Sequence, residues 1–215
     1  MITKFFIVDA TYKEALRNSV QLIRNGNIII FPTETVYGIG ADIYNVDSIK
    51  YLYLIKKRPI NKPLGAYINS ISMVENICEF IPESFYILAE KFLPGPLSII
   101  LKKNKKISPI VTGGLETIAI RMPDNKFILD VLESFGNPLA GTSANISGNE
   151  SAINAFQAKD FFEGKVSAIF DGGECKYGKE STLISLAGVH PKLLRKGVLK
   201  VEKIEETLGY KVESS

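Results

Sequence analysis

The sequence predicts an α/β fold, a single-domain twisted mixed sheet with flanking helices over residues 1–215, and three observations carry that prediction. Short apolar runs of strand length alternate with segments whose apolar residues recur at helical spacing. Pro, Gly and small polar residues punctuate the junctions between them. No internal repeat, low-complexity tract or Pro-, Gly- or Ser-rich linker divides the chain, and 215 residues suffice to bury one large core. Strand order is not encoded in such a pattern.

Taken in order, Phe5 to Val8 forms a first strand, and Tyr12 to Arg24 a helix whose face of Ala15, Leu16, Val20 and Ile23 is apolar until Gly26 stops it. The strand Asn27 to Phe31 runs into Pro32-Thr33-Glu34-Thr35-Val36-Tyr37-Gly38-Ile39-Gly40. That composition suits either a plain strand-end turn or a place where backbone and hydroxyls meet a ligand closely. Asn45 or Asp47 caps a helix through Ile49, Leu52 and Ile55, which Pro59 must end, and Lys56-Lys57-Arg58 emerges from it. Leu64 to Ile68 is a strand, and Ser72 to Phe80 and Glu83 to Phe92 are helices separated by Pro82. Leu93-Pro94-Gly95-Pro96 is a rigid turn feeding the strand Leu97 to Leu101.

Lys102, Lys103, Lys105 and Lys106 follow, either a solvated hairpin tip or a nucleic-acid contact. Thr117 to Arg121 alternates as a strand does, with Thr117, Ala119 and Arg121 on one face and Ile118 and Ile120 on the other. Asp124 to Phe135 is a helix, and Pro138 to Ala140 a short strand entering the polar turn Gly141 to Gly148. Ala155 to Phe162 is helical, Val166 to Phe170 a strand and Asp171-Gly172-Gly173 a turn. Thr182 to Leu186 and Lys192 to Arg195 are strands, and Val201 to Leu208 a closing helix.

Composition narrows the function classes. Hydrophobic and charged shares of 46% and 23% are those of an ordinary globular protein. A net charge of +3 permits a polyanionic partner without demanding one. Cys78 and Cys175 stand far apart, which suggests neither a disulfide framework nor a zinc site and points to a reducing compartment. The N-terminal apolar run is too short for a signal peptide, and no run approaches the roughly 20 apolar residues of a membrane span, so a cytoplasmic location is expected.

Gly173-Glu174-Cys175-Lys176-Tyr177-Gly178-Lys179 nearly spells a phosphate loop. Glu180 stands where that loop needs Ser or Thr, however, and a strand follows instead of a helix N-terminus. The single histidine, His190, lies beside Pro191, leaving a catalytic triad or His-based metal site nothing to build on. What remains is a set of cations and hydroxyls at strand ends and turns, among them Thr33, Thr35, Lys56, Arg58, Lys62 and Thr117. Arg121, Ser143, Ser147, Ser151, Ser181 and Arg195 complete it. Arg offers a planar fork, and hydroxyls and turn amides donate at short range, a combination suited to phosphates and carboxylates.

The stretches PTETVYGIGA at 32–41, KKRPINKPL at 56–64, PGPLSIIL at 94–101, TIAIRMP at 117–123, GTSANISG at 141–148, DGG at 171–173, ESTLI at 180–184 and LLRKG at 193–197 together carry a resemblance. In order and spacing the chain resembles the threonylcarbamoyl-AMP synthases with the YrdC-like fold, in the short form without an additional C-terminal domain. The resemblance implies a nucleotidyltransferase that turns L-threonine, bicarbonate and ATP, with Mg2+, into L-threonylcarbamoyladenylate and pyrophosphate. The product serves threonylcarbamoyl modification of tRNA adenosine 37, with transfer made by a separate protein.

It also implies a threonine pocket of Thr35, Tyr67, Arg121, Ser181 and the Gly141 backbone, and ATP contacts from Arg58, Lys62, Thr117, Ser143, Ser151 and Arg195. Lys56, Arg58, Ser143 and Asn145 match the family's Lys-x-Arg and Ser-x-Asn catalytic signature. Tyr67 stands where many members have His, Lys62 where Asn is frequent and Lys196 where Pro is usual. Glu34 is given no role. The rival expectation is a module that binds double-stranded RNA or tRNA through the Lys56–Lys62 and Lys102–Lys106 clusters without adenylation, and such binding weakens steeply with salt. A carbamoyl-phosphate-using relative is a third, usually found within much larger chains.

Overall fold

A computed structural model describes residues 2–214. In chain order the elements are β1 (Lys4–Ile7), α1 (Tyr12–Arg24), β2 (Ile29–Phe31), β3 (Gly38–Asp42), α2 (Val46–Ile55) and β4 (Gly65–Tyr67). Next come α3 (Ile71–Ile77), β5 (Cys78–Phe80), α4 (Glu83–Phe92), β6 (Leu97–Lys103), β7 (Thr117–Arg121), α5 (Lys126–Phe135) and β8 (Leu139–Ser143). The series closes with α6 (Ala155–Phe162), β9 (Ala168–Asp171), β10 (Thr182–Ser185), β11 (Lys192–Arg195), α7 (Val201–Leu208) and β12 (Glu213–Ser214).

Helix boundaries follow local chemistry. Asn45, Asn125 and Asn154 each accept a backbone N–H of the first turn through Oδ1, at 3.0, 3.3 and 2.9 Å, satisfying donors that a helix leaves unpaired. Gly26 (φ +73) and Gly136 (φ +87) take the left-handed conformation beyond the ends of α1 and α5.

All twelve strands among the described residues belong to one mixed sheet in the order β1-β9-β2-β3-β8-β4-β7-β6-β10-β11-β12, with β5 added beside β6. The predicted twisted mixed sheet is present. Three expectations about its strands give way. The stretch after Phe31 is not only a turn: Gly38–Asp42 pairs antiparallel with β2, making residues 32–37 the loop of a hairpin. Gly38 fits there because the Phe31 ring occupies its side-chain space, where an added Cβ would lie 2.4 Å from Cε2. The strand at Leu139 continues through Ser143, because β3 and β4 both pair with it. Cys78–Phe80, expected as the end of a helix, instead pairs with Lys102 and Lys103.

The sheet has two apolar faces, and β2 with the residue before it serves both, Ile28 and Ile30 lying in one cluster and Ile29 and Phe31 in the other. On the second face α1 and α5 pack over the β2, β9 and β8 end through Ile23, Ile128, Val131 and Leu132. Further along that face, over β4, β7, β6 and β10, the covering residues run out and a cleft begins. Beneath it Ala66, Ile99, Ile118, Ile120 and Ile184 point into the opposite core, which fixes the registry of the cleft floor.

Candidate anion-binding cleft

The cleft has a volume of about 260 Å³, and none of its lining residues comes from a helix. Strand pairing sets its floor in two rows. Tyr67 lies opposite Arg121, Arg121 opposite Ser98, and Ser98 opposite Leu183. The neighbouring row reads Gly141, Gly65, Ala119 and Ile100. Two glycines and an alanine side by side leave that row low, which makes the hollow. A Cβ on Gly141 would come within 2.3 Å of the Ile39 carbonyl and 3.0 Å of the Tyr67 ring, so only glycine fits there.

At one end of the floor stands Arg121. Its Nη2 donates to Glu34 Oε1 at 3.0 Å and to Thr35 Oγ1 at 2.7 Å, while Glu34 Oε2 accepts the Asp124 backbone N–H at 3.1 Å. Arg121 Nε is buried and meets no acceptor among the described residues. The Thr33 hydroxyl donates to the Val36 carbonyl at 2.6 Å and lies 3.0 Å from Thr35 Oγ1. The single proton of Thr33 being used, Thr35 supplies the proton between the two hydroxyls and accepts from Arg121. Tyr37 ties the same loop to the Asp171-Gly172-Gly173 turn, donating to the Gly173 carbonyl at 2.7 Å and accepting from Gly172 N–H at 3.1 Å.

At the other end Arg195 Nη1 pairs with Glu180 Oε2 at 2.8 Å, and Ser151 donates to Glu180 Oε1 at 3.1 Å. Arg195 also donates through Nε to the Ser181 carbonyl and through Nη2 to Ser181 Oγ, at 3.1 and 3.2 Å. Ser181 Oγ lies 2.8 Å from Ser98 Oγ. On the side wall, Arg58 donates to the carbonyls of Lys62 (3.2 Å) and Pro63 (2.8 Å), which bends the 58–63 loop against the cleft. Burial lowers its pKa from the ordinary arginine value, and desolvation likewise raises that of Tyr67.

Of the residues singled out from sequence, Arg58, Tyr67, Thr117, Arg121, Gly141, Ser143, Ser181 and Arg195 line this one cleft. Thr35 lies fully buried behind Arg121 and is not on the wall. Lys56, at 1% exposure, is enclosed, with Nζ donating to the carbonyls of Ser143 (2.7 Å) and Asn145 and sitting 5.7 Å from the Phe162 ring centroid. Burial, helped by the nearby Arg58 charge, pushes its ammonium down to about 7. Asn145 accepts the Ser143 hydroxyl at 2.7 Å and donates to the Asn149 carbonyl at 2.7 Å. Lys56 and Asn145 therefore hold the turn that carries Ser143 and do not form the wall. Lys62 and Ser151 sit at its margin, through the Lys62 carbonyl and the Ser151 bond to Glu180.

Glu180, Ser98 and Glu34 escaped the sequence reading. An inventory of cations and hydroxyls at strand ends and turns passes over carboxylates and over a serine within a strand, and only the pairing of each glutamate with an arginine of the cleft, and of Ser98 with Ser181, gives them meaning. The lysine run also differs from a uniform solvated tip. Lys103 is buried and points toward Glu116 at 3.9 Å, while its neighbours Lys102, Lys105 and Lys106 are exposed.

Comparison with known proteins places these features. A family model described as "Telomere recombination", Sua5/YciO/YrdC, matches residues 21–197. The threonylcarbamoyl-AMP synthase of Pyrococcus abyssi is 41% identical over 194 residues, covering 90% of this chain and 57% of that protein. The protein of the same name from Bacillus subtilis is 40% identical over 215 residues, covering 97% of this chain and 62% of its own. The chain thus spans about three-fifths of the length of these curated relatives. The crystal structure of P. abyssi Sua5 complexed with L-threonine superimposes with a TM-score of 0.92 at 38% identity, covering 100% of this chain and 62% of that one.

Proposed function

The chain belongs to the Sua5/YciO/YrdC family, and from that premise we propose that it is an L-threonylcarbamoyladenylate synthase, condensing L-threonine, bicarbonate and ATP with release of pyrophosphate. The observation that carries this reading is Arg121 on the cleft floor, held through Nη2 and with a buried Nε that meets no acceptor among the described residues. A relative of the same fold, P. abyssi Sua5, is known complexed with L-threonine. A guanidinium with donors to spare suits the amino acid's carboxylate. Tyr67, Ser181 and the open backbone of Gly141 surround the space next to it.

ATP would lie along the rest of the cleft, toward Arg58, Thr117, Ser143 and Arg195, where a loop and three strands each offer a cation or hydroxyl to the triphosphate. The Ser143 hydroxyl reaches a phosphate by turning its proton away from Asn145. In the proposed reaction, threonine's amine captures bicarbonate as a carbamate with loss of water. A carbamate oxygen then attacks the α-phosphorus and pyrophosphate departs. Both reactants are anionic, so the chain's part is to align them and offset charge, and no protein nucleophile is needed. Among the described residues no cluster of three or more His, Cys, Asp or Glu could cage a metal. Magnesium would come with the triphosphate and offset its charge.

The product is proposed to feed threonylcarbamoylation of tRNA adenosine 37 by a separate transferase. No helix among the described residues is long and apolar enough to cross a membrane. The test is pyrophosphate release by the purified protein with labelled bicarbonate and ATP. Release is expected only when threonine is present, with label recovered in the adenylate. Release that does not depend on threonine overturns the reading.

A further inference from the structure

Glu34 is not among the residues that line the cleft and its side chain is 3% exposed, yet it is bonded to Arg121 on the floor. Its two oxygens do different things. Oε1 accepts Arg121 Nη2, and Oε2 accepts the Asp124 N–H just past the end of β7. The carboxylate thus links the hairpin loop to both the side chain and the backbone at the end of the strand that carries Arg121. Thr35, the next residue, takes the second Nη2 bond. Both protons of Nη2 are then committed to the loop, and the guanidinium plane is fixed from one edge. Nη1 and Nε are left, and no described residue accepts from either. A buried donor without a partner costs free energy unless a ligand meets it.

We propose that Glu34 is the positioning residue for amino-acid recognition: by accepting at both carboxylate oxygens, it fixes Arg121 in an orientation that leaves a free donor for the substrate carboxylate. The inference rests on the reading of the cleft as a threonine site. Two acceptors are essential to it. A glutamine at this position keeps the shape and replaces one acceptor with an amide NH2, so either Arg121 or the Asp124 N–H then faces a donor. An aspartate keeps both acceptors and the charge but is one methylene short of spanning the two. Because Glu34 is enclosed, it acts on the substrate only through Arg121.

The experiment compares wild type, Glu34→Gln and Glu34→Asp by threonine-dependent pyrophosphate release, with L-threonine and L-threoninamide as alternative substrates. Thermal denaturation of each variant accompanies the kinetics. The expected result for Glu34→Gln is a KM for threonine raised 10- to 100-fold, a kcat within about threefold of wild type and an unchanged KM for ATP. Its preference for threonine over threoninamide should collapse, because the lost contact is to the carboxylate. Glu34→Asp should fall between the two proteins. A merely structural glutamate would lower the melting temperature and the active fraction but leave KM and the threoninamide preference alone, and that result overturns the proposal. Should Glu34→Gln fail to fold, Glu34→Asp decides: wild-type KM and preference in it overturn the proposal, and an intermediate shift in both supports it. Wild type that releases no pyrophosphate with threonine overturns the underlying reading, an outcome separate from any behaviour of the variants.

Discussion

Two glutamate–arginine pairs stand at opposite ends of one cleft, alike in length and opposite in surroundings. Glu34 and Arg121 are 3.0 Å apart with side chains 3% and 10% exposed, whereas Glu180 and Arg195 are 2.8 Å apart and 39% and 40% exposed. Distance alone would rank the second pair as the stronger. Solvent reverses that ranking, because water competes for and screens the exposed pair, while the buried one is shielded from water and tied further to Thr35 and the Asp124 N–H. The first is suited to holding a fixed geometry. The second is suited to opening when an anionic ligand offers Arg195 and Ser151 something better than Glu180.

The sharpest way to break that contrast is Arg121→Met. It leaves the Glu34 carboxylate enclosed without its counter-charge, and the expected cost is about 3–5 kcal/mol of stability, together with loss of threonine-dependent pyrophosphate release. Chemical denaturation measures the first. Adding Glu34→Leu to the same chain should recover most of the stability, since an apolar pair of similar size suits a dry site, but none of the activity. If Arg121→Met costs under about 1 kcal/mol, the two pairs are equivalent and burial is not what separates them.

Lys56 extends the comparison to a buried cation with no carboxylate. Lys56→Met deprives the Ser143 and Asn145 carbonyls of their common donor and should cost about 2–4 kcal/mol. The ammonium also carries a pH signature. Its folded-state pKa of about 7 lies below the ordinary lysine value, so above pH 7 the folded chain has released a proton that the unfolded chain still holds. Stability from this group therefore rises with pH through that window, by about 1 kcal/mol between pH 7 and 8, and is not gained below it. The neutral amine still has two N–H groups for two carbonyls, so the turn survives the change. Denaturation at pH 7 and pH 8 should show the rise in wild type and its absence in Lys56→Met.

What the sequence disclosed and what it hid divide along the same line between local and distant causes. The bounds of Tyr12–Arg24, Glu83–Phe92, Thr117–Arg121, Ala155–Phe162 and Val201–Leu208 were legible because a period or a neighbouring Pro, Gly or Asn sets them within a few residues. Gly38–Asp42 was not, since Gly-Ile-Gly-Ala-Asp is a poor strand by propensity and forms only because β2 and β8 pair with both its edges. Eight residues proposed for ligands do line the cleft. Thr35 and Lys56 belong to the layer behind it, and Glu34 acquires a role only from Arg121, 87 positions away in sequence. Residue type and order mark which groups matter; whether a group faces the ligand or holds the one that does is a property of the tertiary packing.

The smallest expected effect is the most discriminating. Glu180→Gln removes a charge but leaves an amide oxygen able to accept from Arg195 or Ser151, and in a half-exposed site water covers what the amide does not. Stability should change by less than about 1 kcal/mol. Arg195, no longer neutralised, meets the triphosphate with its full charge, so the KM for ATP should fall about two- to fivefold, a gain of well under 1.4 kcal/mol, while the KM for threonine stays put. The gain should shrink in high salt, as screening weakens an exposed guanidinium's attraction for phosphate. This pattern is the mirror image of the one expected for Glu34→Gln, which raises the KM for threonine and spares ATP. A Glu180→Gln protein that instead loses several kcal/mol, or binds ATP less well, would mean that Glu180 holds Arg195 in place much as Glu34 holds Arg121, and the two ends of the cleft would then work by one principle.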